Sequence, residues 1–338
     1  MNKKTLRKLA IPVMIFLGLV TVSACSSSSA PTTAAQDGEE TPFTLKVFHN
    51  SDITGVNIFW VADAKGFAAE ENIIFDDVGV VPSGELVASV VAGKLDVGGA
   101  HVNRTIAGIN GGAKIKAVAA SSETLQDFPH MCFVAVKGSP IKSARDLVGK
   151  KLGLATYGGC NEYTTYAWFD KNGIAQPKEQ MDIFILPGET KLLQALEQGE
   201  VDVVGIHKDP SWVLAQGKYD LLYTDFDIWG TIGGNTPHYF SEKFINEHPE
   251  VVRRFVRVIA KTNNWVNENR KEAERITAER GGVDPSQVRS ANYTKDAVMK
   301  PETVQVWIDL LEKYEEIKPG ITPEQIYTNE FNELAPKI

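Results

Sequence analysis

Four histidines, His49, His101, His207 and His238, stand in short polar segments with carboxylates, hydroxyls, amides and one thiol. Their companions are Ser51, Asp52 and Thr54, then Ser83, Asn103, Tyr157, Gly158, Gly159, Cys160, Asn161, Glu189, Asp209 and Asn235. Imidazole can shuttle a proton, ligate a metal or hydrogen-bond a solute. A thiol beside a histidine makes a nucleophile. Cys160 has no sequence neighbour of that kind, and the reading adopted for it is a small residue in a tight loop. No G-x-S-x-G elbow occurs, and Gly158-Gly159-Cys160 lacks the Gly-Lys-Ser/Thr that completes a phosphate-binding loop. None of the four histidines shows the short spacing of paired metal ligands. The expectation is therefore a ligand-binding set with no catalytic group, no metal and no cofactor.

Several of these residues, His101 and His207 among them, fall at matching places in an internal repeat, whereas Asn235 and His238 lie in a later polar segment. The first copy reads Val81-Pro82-Ser83-Gly84-Glu85, a helical pattern, then Gly93-Lys94-Leu95-Asp96-Val97-Gly98-Gly99-Ala100-His101. The second reads Leu186-Pro187-Gly188-Glu189, a helical pattern, then Gly199-Glu200-Val201-Asp202-Val203-Val204-Gly205-Ile206-His207. Gly, Asp and His keep the same mutual spacing in both. Leu86, Val87, Val90 and Val91 share one helix face, as do Leu192, Leu193 and Leu196. Each helix ends at a glycine, and a short apolar strand is expected to begin at each Asp.

The segments ahead of the copies match as well. Strands are expected over 45–48 and 73–81 around a helix over 58–70, and over 152–155 and 183–186 around a helix over 163–172. Alternating strand and helix patterns predict βαβ units with parallel sheets. Two such units in tandem predict an α/β chain of two lobes with a cleft between them. After residue 232 the pattern turns helical, with Val252, Phe255, Val256 and Ile259 on one face and further helices over 301–314 and 323–331. Ligands bind beyond the carboxyl ends of parallel strands, and the residues named above occupy those ends. Several of the loops precede helices, whose free N–H groups suit an anionic or strongly polar ligand. His101 and His207 are expected to border the cleft from opposite sides.

The chain has 338 residues and a formal net charge of −8, which argues against a nucleic-acid partner. Lys3, Lys4, Arg7 and Lys8 precede an apolar run over 9–20, then Val22-Ser23-Ala24-Cys25, the pattern of an export signal. The last four residues resemble a bacterial lipobox, which implies lipidation of Cys25. Residues 1–24 are thus read as a lipoprotein signal peptide and 25–42 as a disordered tether rich in Ser, Thr, Ala and Pro. Loss of 1–24 removes four basic residues and no acid, so 35 basic residues fall to 31 against 43 acidic ones, a net charge of −12. Cys132 and Cys160 are read as free.

One ordered set of motifs carries a wider resemblance. It runs Trp60-Val61-Ala62-Asp63-Ala64-Lys65-Gly66-Phe67, then Glu71-Asn72-Ile73, then Ala92-Gly93-Lys94-Leu95-Asp96-Val97-Gly98. It continues with Lys137-Gly138-Ser139-Pro140-Ile141-Lys142-Ser143-Ala144-Arg145-Asp146-Leu147-Val148-Gly149-Lys150-Lys151-Leu152 and His248-Pro249-Glu250-Val251-Val252-Arg253. The set resembles the NMT1/THI5-like substrate-binding proteins, relatives of the nitrate, taurine and alkanesulfonate binders of ABC importers. The resemblance implies a two-lobed periplasmic-binding-protein fold of type II, the Venus flytrap. Lobe one would comprise 43–137 and 233–338, lobe two 138–232, with hinge strands near 132–137 and 222–230. It further implies an exported, lipid-anchored monomer facing the periplasm or exterior. Such a protein captures a small polar organic solute or oxyanion, of sulfonate, nitrate or pyrimidine-precursor type, by hinge closure and passes it to a cognate ABC permease. A ligand-sensing lipoprotein and an exported enzyme of the same fold are the alternatives. Asp52, Glu85, Glu162, Glu189 and Asp209 outnumber Arg104 and Lys208 in the candidate loops. Two carboxylates facing the cleft would disfavour a bare anion.

Overall fold

The computed structural model describes residues 41–336; Cys25 and the export segment lie outside them. The chain folds into two lobes of mixed helix and sheet. One is built on a five-stranded sheet in the order Tyr219–Thr224, Cys132–Val136, Val203–Ile206, Lys151–Leu154, Asp182–Ile185. The other carries the parallel pair Phe43–His49 and Ile73–Val80, the three-stranded sheet Gly98–Gly99, Pro237–Ser241, Ile115–Ala120, and a small pair, Asn292–Tyr293 with Ser122–Glu123.

Pairing is mixed, not wholly parallel as expected. Phe43–His49 with Ile73–Val80, and Lys151–Leu154 with both its neighbours, are parallel. Cys132–Val136, Tyr219–Thr224 and Pro237–Ser241 run antiparallel to their partners. These three lie outside the repeat, where no crossover helix dictates direction. Cys132–Val136 pairs with Val203–Ile206 and Tyr219–Thr224, and so belongs to the five-stranded sheet.

The repeat has a structural counterpart. Asp96 accepts the N–H of Lys46 at 2.8 Å, and Asp202 accepts the N–H of Lys151 at 2.8 Å. Each aspartate therefore fixes the strand that opens its own βαβ unit. Neither starts a strand; the strands begin one or two residues later, at Gly98 and Val203. Both helices of the repeat, Leu86–Val91 and Glu189–Glu197, end at glycines with positive φ, Gly93 and Gly199.

The helix expected over 58–70 is two helices, Ile58–Ala64 and Phe67–Glu70. Gly66 divides them, its φ of 78° admitting little but glycine. The second lobe's helix starts earlier than expected, at Cys160. The long helix Pro249–Glu268 buries Val252, Phe255, Val256 and Ile259 as their spacing predicts. The helix Pro301–Lys313 agrees with expectation, whereas Pro323–Ile326 is shorter.

Strand alternation divides the core. Phe133 and Ala135 face one apolar cluster, while Cys132 and Val134 face a second, with Leu192, Leu196 and Tyr219. Phe133 stacks on Tyr223 with ring centres 4.2 Å apart, and Tyr223 on Trp168 at 3.7 Å. That stack seats the helix Cys160–Lys171 on the sheet, which fixes Cys160 at its first turn.

Candidate functional site

A cavity of about 470 Å³ opens at the carboxyl ends of the parallel strands, the place such sheets reserve for ligands. His49, Ser51, Asp52, Thr54, Ser83, His101, Gly159, Cys160, Asn161, Glu189, His207, Asp209 and His238 line it. Asn103, Tyr157, Gly158 and Asn235 stand behind its wall. The Nδ2 group of Asn103 donates to the Gly158 carbonyl at 2.9 Å, and Asn235 Nδ2 to Thr303 Oγ1 at 2.9 Å. Tyr157 is 61% exposed and offers its carbonyl to Arg104 Nη2 at 3.2 Å. These residues brace the loops that the lining residues occupy.

The carboxylates are already engaged. Asp52 accepts the N–H of Glu189 at 3.0 Å, joining the loop after Phe43–His49 to the second repeat. Gly188 precedes that N–H in a left-handed conformation that favours glycine, with a φ of 96°. Glu189 accepts both the backbone N–H and Nδ1 of His207, with Lys208 Nζ 3.7 Å away. Asp209 caps the helix Pro210–Ala215 through the N–H of Ser211 at 2.7 Å. Glu162 is held behind the wall by Gly158 N–H at 2.8 Å and Tyr166 O–H at 2.7 Å. Arg104 and Arg289 also line the cavity and donate only to neutral oxygens, Thr156 Oγ1 and the carbonyls of Tyr157 and Val288, among the described residues.

Each histidine has its own environment. His49 Nδ1–H donates to Asp77 Oδ1 at 2.9 Å. Burial raises the Asp77 carboxyl, but hydrogen bonds from His49, Trp60 and Gly79 outweigh it and hold it below its usual range. His101 caps the helix Val102–Asn110 and donates Nε2–H to Gly233 O at 2.9 Å. Burial drives it down to about 3, so the ring is neutral. His238 packs against Phe59 and Phe255, and burial lowers it to about 4. His207 faces the cleft and is 37% exposed. Crowding lowers its proton affinity, yet Cys160 at 3.2 Å and Glu189 at 3.2 Å more than compensate and raise it to about 10.

Several lining residues escaped the sequence reading: Phe128, His130, Ser121, Ser122, Arg289 and Tyr293. Ser121 and Ser122 directly follow the strand Ile115–Ala120, so the strand-end rule, applied beyond the repeat, finds them. His130 precedes the strand Cys132–Val136 and lies outside both repeats. Its ring centre is 5.0 Å from those of His101 and His207, between which it sits. Cys132 and Cys160 are both free and buried. No helix among the described residues is long and apolar enough to cross a membrane.

The fold is similar to that of the alkanesulfonate-binding protein of Xanthomonas axonopodis pv. citri, with a TM-score of 0.67 at 15% identity, covering 85% of this chain and 99% of that one. The periplasmic nitrate-binding protein of Synechocystis PCC 6803 gives a TM-score of 0.66 at 12% identity, covering 86% and 87%. The desulfurization enzyme DszB shares the fold at a TM-score of 0.61 and 12% identity, covering 85% and 97%. No protein of curated function matches the sequence. The profile described as NMT1/THI5 like matches residues 53–273, about two thirds of the chain. With that match and this fold, the chain belongs to the NMT1/THI5-like family.

Proposed function

We propose that the chain is an extracytoplasmic solute-binding lipoprotein of an ABC importer, and that it captures a small polar organic solute bearing an anionic group. The charge arrangement of the cleft carries this reading. Asp52, Asp209 and one oxygen of Glu189 are each engaged by protein donors, while Arg104 and Arg289 have no carboxylate partner among the described residues. The two guanidinium groups are thus open to a ligand, and guanidinium suits sulfonate and carboxylate geometry. A volume of about 470 Å³ lies in the range of organic ligands and is large for a bare nitrate.

Closure would bring the lobes together through segments 121–131 and 225–236, which we place as the crossings. Asp225 ties them, accepting Met131 N–H at 2.9 Å and the Thr124 hydroxyl. Lipidation at Cys25 and delivery to a permease complete the proposal. A thermal-shift screen of sulfonates, carboxylates and amines tests it. Anionic solutes should stabilise the protein by about 2.7 kcal/mol at a hundredfold excess over Kd and make it more compact in solution scattering. Stabilisation by amines alone would overturn the charge assignment.

One observation favours a second reading, an exported enzyme. Glu189, His207 and Cys160 form a line of contacts, each at 3.2 Å, resembling a nucleophile with its base and orienting carboxylate. Turnover of any solute found in the screen, lost in Cys160→Ala, would establish it.

A further inference from the structure

We propose that His101, His130 and Cys160 form a binding site for a borderline divalent metal ion of the zinc type in the wall of the cleft. One potential ligand atom from each residue lies within 4.8 Å of the other two. The three come from different parts of the chain: the cap of the helix Val102–Asn110, the segment ahead of the strand Cys132–Val136, and the first turn of the helix Cys160–Lys171. Their convergence owes nothing to sequence spacing.

The spacing also suits coordination. His130 Nε2 stands 3.8 Å from Cys160 Sγ. Two ligands bound tetrahedrally to one zinc ion, at about 2.1 Å for nitrogen and about 2.3 Å for sulfur, stand about 3.6 Å apart. Gathering the three atoms around an ion then takes shifts of about an ångström or less. The outer contacts are in place too. His101 donates Nε2–H to Gly233 O at 2.9 Å, and Trp307 Nε1 fixes the same carbonyl at 2.8 Å. That bond selects the tautomer whose Nδ1 holds a lone pair, the usual role of an outer partner to a ligating imidazole; binding a metal there would take that lone pair from the Asn103 N–H, which it caps at 3.4 Å.

Two imidazoles and a thiolate select zinc, cobalt or copper over magnesium or calcium, which prefer oxygen. Three protein ligands leave a fourth position open. On binding, the S–H bond of Cys160 breaks, a metal–sulfur bond forms, and the proton passes to the buffer. His207, 3.2 Å from Sγ, stands beside the site with its Nδ1 held by Glu189. The site does not depend on the solute's identity.

The test is titration of the purified protein with cobalt(II), followed by displacement with zinc(II). One equivalent should bind, with a thiolate-to-cobalt charge-transfer band that zinc abolishes and magnesium does not. The variants His130→Asn and Cys160→Ser should lose affinity by about tenfold or more, and Cys160→Ser should lose the band. His130→Asn keeps the test decisive if Cys160→Ser misfolds. Zinc should also protect Cys160 from alkylation by iodoacetamide. Absence of the band, undiminished affinity in both variants, or alkylation unaffected by zinc would overturn the proposal; the last would leave Cys160 as a free nucleophile beside His207.

Discussion

Asp52 Oδ2 accepts the backbone N–H of Glu189 at 3.0 Å, a bond between residues 137 positions apart that bridges the two strand-end loops facing each other across the cleft. Asn103 and Arg104 add two more such bridges, to Gly158 O and Tyr157 O. A cleft held by bonds of this kind can open at the cost of a few polar contacts while both sheets stay intact. On the proposed function, ligand capture would act on an equilibrium of this kind.

Asp52→Ala removes one bridge. A hydrogen bond to a charged group contributes about 1.5–3 kcal/mol, and less where it is partly exposed. Solute affinity should fall about five- to tenfold, and ligand-induced compaction in scattering should diminish. Unaltered affinity measured by calorimetry would show that the bond does not favour closure.

Arg104 and Arg289 should differ in their effects. Arg104→Ala loses both the anion contact and the bridge to Tyr157, whereas Arg289→Ala loses only the anion contact. Both should weaken an anionic solute by tenfold or more, at about 1.5–3 kcal/mol for each charge-assisted bond. A neutral analogue of the same solute should be weakened chiefly by Arg104→Ala. Equal loss for charged and neutral ligands in both variants would contradict the anion assignment.

Gly188→Ala places a side chain at a φ of 96°, beside Asp52 Oδ2. The strain should cost about 1 kcal/mol or more of stability and displace the N–H that Asp52 accepts. Denaturant unfolding should show the loss without ligand, and calorimetry a weaker solute. Gly199→Ala, also at a positive φ (74°) but without the Asp52 contact, is the control that separates fold from closure.

His238 gives the protein an acid sensitivity. Burial lowers its folded value to about 4 from the ordinary 6.5, so between those values the unfolded chain takes up a proton that the folded one refuses. Its share of the stability should therefore fall as the pH drops from about 6.5 to about 4, by at most about 1.4 kcal/mol per pH unit. His238→Phe should remove that share and leave the slope that buried His101 contributes. Urea unfolding at pH 7.5 and pH 5 checks this, because any packing cost of the larger ring cancels between the two conditions. An identical pH dependence in wild type and variant would refute it.

Much of the architecture is legible in covalent order. The spacing Gly, Asp, His recurs because each Asp closes the same bond onto the strand opening its unit, Asp96 to Lys46 and Asp202 to Lys151. The helix faces at Val252–Ile259 and Leu192–Leu196 follow from a period set by backbone geometry. Strand ends bearing His49, His101 and His207 follow from the same local patterns, and all three line the cavity. What the sequence alone could not reveal is which long-range pairs form. His130 joins His101 and Cys160 through segments with no repeat and no shared period. Arg289 arrives from a loop after the helix Arg270–Gly281, held by its own N–H on Thr54 O at 2.9 Å. The excess of acidic residues in the loops suggested a cleft that disfavours a bare anion. Tertiary structure gives three of those carboxylates protein donors, Glu189 N–H, His207 and Ser211 N–H, which no local pattern foretells. The reason is physical: periodicity is written residue by residue, whereas the partner of a buried charge is chosen only when distant segments are packed together.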